Sequence, residues 1–391
     1  MRSWTSRRLG FRSTEALLLV LLLLALMPAA SASMIDLGTL GLHSHALAIN
    51  DAGQVVGFFE TRLPTGEAGP YHAFLWEQGM MMDIGSLSGG NTIAYAINHR
   101  GQIVGSSYVG GASHAFLWER GVMIDLGTLG SDFSLAQAIN DKGQVAGISD
   151  RSSGARAAFL WENGVMRDIG NLGGTWLTNV VGINAKGQVA GSSLSNSGAI
   201  HAFFWDGVMM DIGTLGCFLP AACGPGSEAH ALNDIGQVVG QANMGGDGTG
   251  SSVFHAFLWE NGTMRNLGTL GGNYANARAI NNRGQVTGES TVASTGSIHA
   301  YLWENEEMSD LGLRPGAPSG GGSAGYAIND QGQIAGASEG HAIFWERGVM
   351  TDLGTLGGTD SNAIALNNRG QVIGDSKIST GETHAFLWEK R

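Results

Sequence analysis

Apolar residues in this chain do not build long amphipathic stripes. They come as short segments of four to six residues, bounded by Gly, Asn and Asp, and the segments recur. The most regular is His-Ala-Phe-Leu-Trp-Glu, at 72–77, 114–119, 255–260 and 384–389, with close variants at 157–162, 201–206, 299–304 and 341–346. Three other segments travel with it. Ala-x-Ala-Ile-Asn comes first, Gly-Gln-Val-Val-Gly follows two residues later, the His-Ala-Phe phrase is third, and Met-x-Asp-Leu-Gly is fourth. The Asn closing the first segment falls at 50, 98, 140, 184, 233, 281, 329 and 367, and these positions number repeats 1 to 8 below. The period averages about 45 residues, the range of repeat architectures with a four-stranded unit.

Every segment is too short for a helix and carries the β-branched or aromatic side chains of a strand. Asn-x-x-Gly-Gln reads as a hairpin turn in which Gly supplies a positive φ, and Glu77-Gln78-Gly79 and its counterparts as a second hairpin. Four antiparallel strands per unit predict an all-β fold, an eight-bladed β-propeller of four-stranded blades. The copies begin with a fourth-segment strand, 34–38, and end with a third-segment strand, 384–389. The N-terminal strand is therefore expected to complete the last blade, which leaves the ring without an exposed edge; an open β-solenoid is the alternative and would need capping repeats. The Ala-x-Ala segment suits the crowded axis, which makes Met-x-Asp-Leu-Gly the outermost strand.

The wording of the repeat, Ala-Ile-Asn-x-x-Gly-Gln-Val-Val-Gly with His-Ala-Phe-Leu-Trp-Glu-x-Gly and Met-x-Asp-Leu-Gly-Thr-Leu-Gly-Gly, resembles the HAF-repeat family of extracellular proteins over essentially residues 34–389. The resemblance implies export and repetition and brings no catalytic residues with it.

Composition agrees with a folded, turn-rich chain. There are 63 glycines among 391 residues, 43% hydrophobic and only 14% charged residues. Residues 1–32 read as a signal peptide: Arg2, Arg7, Arg8 and Arg12 precede an apolar run at 16–27, and Ala30-Ser31-Ala32 is a small-x-small cleavage site. That run is short for a bilayer span, although an uncleaved anchor is the competing reading. A single propeller domain, 33–391, then remains, with an excess of acidic residues and scattered basic ones. Such a surface offers no footprint for nucleic acid or anionic lipid. The expectation is a secreted or periplasmic monomer with no membrane contact after cleavage. The two cysteines, Cys217 and Cys223, sit in one loop, and in an exported chain a local disulfide is expected over a metal pair.

Repetition separates frame from function. A catalytic residue is needed once, whereas the Asn, Gln and Trp recur in all eight repeats and the His in seven, Ala157 being the exception. These are expected to bond strand ends and fill gaps between sheets. The first-to-second and third-to-fourth turns are nearly constant. The second-to-third and fourth-to-first loops vary, and both emerge on one face, where binding residues belong. Candidate ligand-binding residues there are Trp176, Tyr274, Phe133, Phe218, His43 and His45. No Gly-x-Ser-x-Gly, His-Glu-x-x-His or Walker sequence is present. No cofactor or metal is expected, although His43-x-His45 has ligand-like spacing. The functional expectation is a binding scaffold for a glycan or an extracellular protein, with a polysaccharide hydrolase or lyase acting at the propeller mouth as the alternative.

Overall fold

The computed structural model describes residues 33–216, 226–246 and 252–390. Cys217, Phe218 and Cys223, and the segment read as a signal peptide, lie outside the described residues. All regular structure in the described chain is β, in 32 strands. In repeats 1 to 7 the strands pair in chain order, inner, second, third and outer, all antiparallel, and in repeat 8 the outer place is taken by Ser33–Asp36. They form six four-stranded sheets and one eight-stranded sheet. In the larger sheet, repeats 5 and 6 are joined by a single parallel bridge, Phe254 to Tyr274. Each inner strand packs against the inner strand of the next repeat, and the inner strand of repeat 8, Gly357–Leu366, packs against that of repeat 1, Ser44–Ile49. This radial arrangement is a β-propeller. Ser33–Asp36 pairs antiparallel with Thr383–Glu389, with Met34 opposite Trp388 and Asp36 opposite Phe386.

The His-Ala-Phe-Leu-Trp phrase follows from having both sheet faces covered. Successive side chains of a strand point to opposite faces. Ala73 and Leu75 pack towards repeat 2, against Phe116 and Trp118. Phe74 and Trp76 pack the other way, against Ala385 and Leu387 of repeat 8. The Ala-and-Leu face of one third strand thus receives the Phe and Trp of its neighbour. The scheme recurs, with Phe204 against Trp259 at 4.9 Å and Phe344 against Trp388 at 5.0 Å between ring centroids. Trp161, Trp205 and Trp345 are only half-buried.

The second-segment glycine has a specific cause. A Cβ on Gly57 would lie 1.9 Å from the carbonyl oxygen of His45, and the seven equivalent glycines meet an inner-strand carbonyl at 1.8–2.0 Å. At this level the inner strand carries a bulge, between Ala46 and Ala48 in repeat 1, which presses its backbone onto the second strand.

In six repeats a His and an Asp tie the third strand to the outer one, and in repeat 5 His255 meets Asn266 instead. His72 Nδ1 meets Asp83 at 2.8 Å, and Asp83 Oδ1 accepts the Gly85 N–H at 2.7 Å. His384 makes the same bond to Asp36, 2.9 Å, across the pairing of the two chain ends. Repeat 3 has Ala157 where the others have His, and Arg151 takes its place, holding Asp168 with Nε at 2.5 Å and a second bond from Nη2 at 2.8 Å.

Several expected loops are strand. Phe133, Trp176 and Tyr274 lie in the inner strands Gly130–Ile139, Gly173–Ile183 and Gly271–Ile280, which run on towards the variable face through a register shift and rejoin the second strand at Gly130, Gly173 and Gly271. His45 lies inside its inner strand, where it was expected to precede it.

Candidate functional site

The central passage has two unlike ends. On the constant face it opens into a cavity of about 320 Å³ floored by an apolar ring that includes Ile49, Ile97 and Ile183. Above it stands the ring of turn asparagines. Asn50 Nδ2 donates to Gln54 Oε1 at 2.6 Å and to the Asn98 carbonyl of the next repeat at 3.0 Å, while its Oδ1 accepts the N–H groups of Ala52 and Gln54. The same bonds run from each repeat to the following one, and Asn367 returns to the Asn50 carbonyl at 3.0 Å. The next residue adds a rim bond in most repeats, such as Asn282 N–H to Asp330 at 2.9 Å and Asn368 N–H to Asp51 at 2.8 Å. His99 breaks the rim pattern by bridging Asp51 and Asp141, each at 3.0 Å. The Asp51 bond, the largest influence on its pKa, raises it above the usual imidazole value. The polar groups of this mouth are bonded to one another as parts of the frame.

The other end faces the variable side and does not repeat. The residue after the close-approach glycine is Phe58, Ser106, Ile148, Ser192, Gln241, Glu289, Ala337 or Asp375 in successive repeats. Two of these organise polar clusters. Glu289, 5% exposed, receives a bidentate pair of bonds from Arg278, both 2.7 Å, with further bonds from Tyr274 Oη at 3.1 Å and Asn276 Nδ2 at 3.2 Å. Such a fork is the geometry in which a buried carboxylate is best compensated. Arg278 in turn lies over the ring of Tyr326 in repeat 7, at 5.6 Å, with its side chain 43% exposed. Burial, then the nearby Glu289, raises the Tyr274 phenol above its usual range. The buried Asn276 Oδ1 has no hydrogen-bond partner. In the second cluster Asp375 bonds His45 Nδ1 at 2.7 Å and the Ala46 N–H at 3.1 Å, reaching from repeat 8 to repeat 1. That hydrogen bond raises the His45 pKa against the opposing effect of burial. Phe58 stacks on the His45 ring at 4.9 Å.

The residues singled out from sequence are therefore dispersed. Tyr274 belongs to the Glu289 cluster and His45 to the Asp375 cluster. His43 Nδ1 accepts the Thr383 N–H at 3.0 Å, so the His43-x-His45 pair is divided between two separate partners. Phe133 lies beneath the Arg156 guanidinium, 4.5 Å from its ring centre. Trp176 is 66% exposed on repeat 4. Among the described residues no hydrogen bond or ring contact joins any two of them. Glu289, Arg278, Asn276, Tyr326 and Asp375 were not singled out. Their signal was present in the repeat alignment, at the one variable position after the constant glycine and at the alternate positions of the inner strand.

No family model matches the sequence, and no curated protein matches it. Among solved structures, the chain is similar to Porphyromonas gingivalis dipeptidyl peptidase 4, with a TM-score of 0.52 and 9% identity over 87% of this chain. It spans 56% of that protein's length, and at this identity the likeness concerns the fold alone. The β-propeller domain of the Trilobed protease from Pyrococcus furiosus aligns at a TM-score of 0.48 and 10% identity, over 90% of this chain and 95% of that one. TolB from Acinetobacter baumannii aligns at 0.35 and 10%, over 65% and 61%. Likenesses of this size carry no functional argument.

Proposed function

We propose that this chain is an exported eight-bladed propeller that binds a glycan at the variable-face end of its central passage. The eightfold Asn ring and the pairing of Ser33–Asp36 with Thr383–Glu389 support eight blades closed by the N-terminal strand. Leu37, buried with Leu387 and Trp76, adds an apolar seal to that closure. The resemblance to HAF-repeat proteins and the basic, apolar and small-residue order of 1–32 support export, with 33–391 as the mature single domain.

One observation carries the binding site: departures from the repeat that bear charge, amide or aromatic groups collect at one end of the passage, around Glu289, Arg278, Tyr326, His45 and Asp375. Fixed amide, carboxylate and guanidinium groups beside aromatic rings suit a ligand rich in hydroxyls, which both donates and accepts. Trp176 offers a further exposed ring on the same face for a long chain.

The test is an array of immobilised glycans probed with residues 33–391. A hit should weaken at least tenfold when Trp176 and Arg278 are both replaced by Ala, and should be untouched by His99→Ala on the opposite mouth. Absence of any hit, or equal sensitivity to His99→Ala, would discard the reading. Release of reducing ends from the bound glycan would mark a cleaving enzyme in place of a binder.

A further inference from the structure

Repeat 7 is lower than its neighbours on the variable face. Its second and third strands, Ile334–Ser338 and His341–Glu346, turn at once through Glu339-Gly340, with Ser338 paired to His341. In repeat 2 the equivalent pair, Ser107 and His114, is followed by two more, Tyr108 with Ser113 and Val109 with Ala112. At about 3.3 Å per residue the repeat 7 hairpin stops roughly 7 Å short of that height. The flanking repeats both continue past it, through Thr291 paired with Ile298 in repeat 6 and Lys377 paired with Thr383 in repeat 8. The result is a notch in the rim. It consists of two cavities that share Ala337 and Gly340, about 380 Å³ towards repeat 6 and about 270 Å³ towards repeat 8. The Glu289–Arg278 cluster lies on one side of this notch and the Asp375–His45 cluster on the other.

We infer that the notch over repeat 7 is the subsite for a neutral saccharide unit, an assignment that rests on the glycan reading above. The floor is held on both sides: the Glu339 N–H donates to the Gly322 carbonyl at 3.1 Å, and the Gly340 carbonyl accepts the Ser361 N–H at 2.8 Å. With Ala337 paired to Ala324 and Ala342, no free strand edge remains there for an extended peptide to join. What remains available is side-chain chemistry. Asn362, exposed and directly opposite Asp375 in register, has an amide with no hydrogen bond to the described residues. Asp375 beside it keeps further acceptor capacity. Lys377 pairs with Asp360 at 2.8 Å, Asp375 bonds His45, and the Glu339 carboxylate accepts the Gly322 N–H, so the charged groups around the notch already have partners and what it offers a ligand is hydrogen bonding more than charge. Adjacent hydroxyls can accept from the Asn362 amide and the Lys377 ammonium while donating to Asp375. Tyr326 lines the repeat 6 side and brings an aromatic ring to the notch.

The experiment titrates residues 33–391 with neutral pentasaccharides of gluco, galacto, manno and xylo configuration, by calorimetry. Two variants fill or strip the notch. In one, Glu339 and Gly340 are replaced by the sequence of residues 108–113, Tyr-Val-Gly-Gly-Ala-Ser, which rebuilds the repeat 2 hairpin over the floor. The other is Asn362→Ala, a surface change that leaves the fold intact. At least one pentasaccharide should bind the parent, and both variants should weaken it tenfold or more at unchanged melting temperature, with His99→Ala on the opposite mouth changing it less than twofold. Parent-like binding by both variants, with loss in Trp176→Ala, would overturn the notch while leaving glycan recognition standing. No pentasaccharide binding the parent at millimolar concentration, on a protein that also fails the array, would remove both.

Discussion

The two mouths of the passage are built from the same eight strands, yet they differ in what a single residue means. On the constant face each Asn does what seven others do, and each bonds the carbonyl of the repeat ahead of it. On the variable face only Glu289 and Asp375 are acids at their position, and Phe58, Ile148 and Ala337 stand there in other repeats. A group that holds repeats together must be present at every junction. A group that recognises something is needed at one place, and the frame lets it differ there. On the binding reading proposed above, the difference between the two ends is a division between stability and recognition, and it can be attacked from both sides.

The largest effect is expected from the constant face. Asn184 Nδ2 donates to Gln188 Oε1 and to the Asn233 carbonyl, at 2.7 and 3.1 Å, in a buried setting. Asn184→Asp sets a carboxylate oxygen against those two acceptors, and an uncompensated buried charge costs about 3–5 kcal/mol. Trp176→Ala, on the other face, should stay within about 0.5 kcal/mol. Chemical denaturation of the two proteins measures both, and similar losses would break the division.

A smaller effect is expected between repeats 6 and 7, where the frame itself is altered. Gly325 stands where most repeats have a buried Ala, and a Cβ there would fall 2.2 Å from Thr287 Oγ1. Gly325→Ala should cost about 1–3 kcal/mol by overpacking. In a Thr287→Ala background most of that cost should vanish. If the penalty persists in the double variant, the close approach of Thr287 is not its cause.

The smallest effect is a difference in titration. His255 faces Asn266 where most of its counterparts face Asp, and burial lowers its pKa below the ordinary 6.5. The neutral form is then favoured in the fold, so stability from this site is present above about pH 6.5 and falls as pH drops through the lowered value. His45 has the opposite sign. Asp375 raises its pKa, so its contribution is present below about pH 6.5 and is lost as pH rises through the raised value. Imidazole resonances should give His255 a lower midpoint than His45, and Asn266→Asp should move His255 upwards. A midpoint for His255 at or above that of His45 would contradict the assignment.

Much of the frame was legible in the sequence because its period is local. Alternation within His-Ala-Phe-Leu-Trp, the Asn-x-x-Gly-Gln turn and the position of 34–38 are all stated within a few residues, and strand order followed from them. The extension of inner strands through Phe133, Trp176 and Tyr274 was not legible, since Gly-Ser-Asp-Phe, Gly-Gly-Thr-Trp and Gly-Gly-Asn-Tyr look like loops until a partner strand is known to run beside them. The polar clusters were missed for a different reason. Glu289 and Arg278 belong to two strands and Asp375 and His45 to two repeats, and only the fold brings them together. The short segment at 337–340 was visible as a brief loop, but a low hairpin is a notch only relative to neighbours that stand higher.

The Asn bonds of the constant face also have a sense of travel. Each amide gives to the repeat ahead and each carbonyl takes from the one behind, so every junction carries an identical donor and acceptor. No junction is privileged by this bond. The chain could be opened at another turn, with its present ends fused, and the same set of bonds would re-form. In the same way, a copied repeat arrives with a matching socket before it and a matching plug behind it. An arrangement of this kind lets a gene lengthen by duplication without inventing a new interface, and it leaves the loops of each new copy free to diverge.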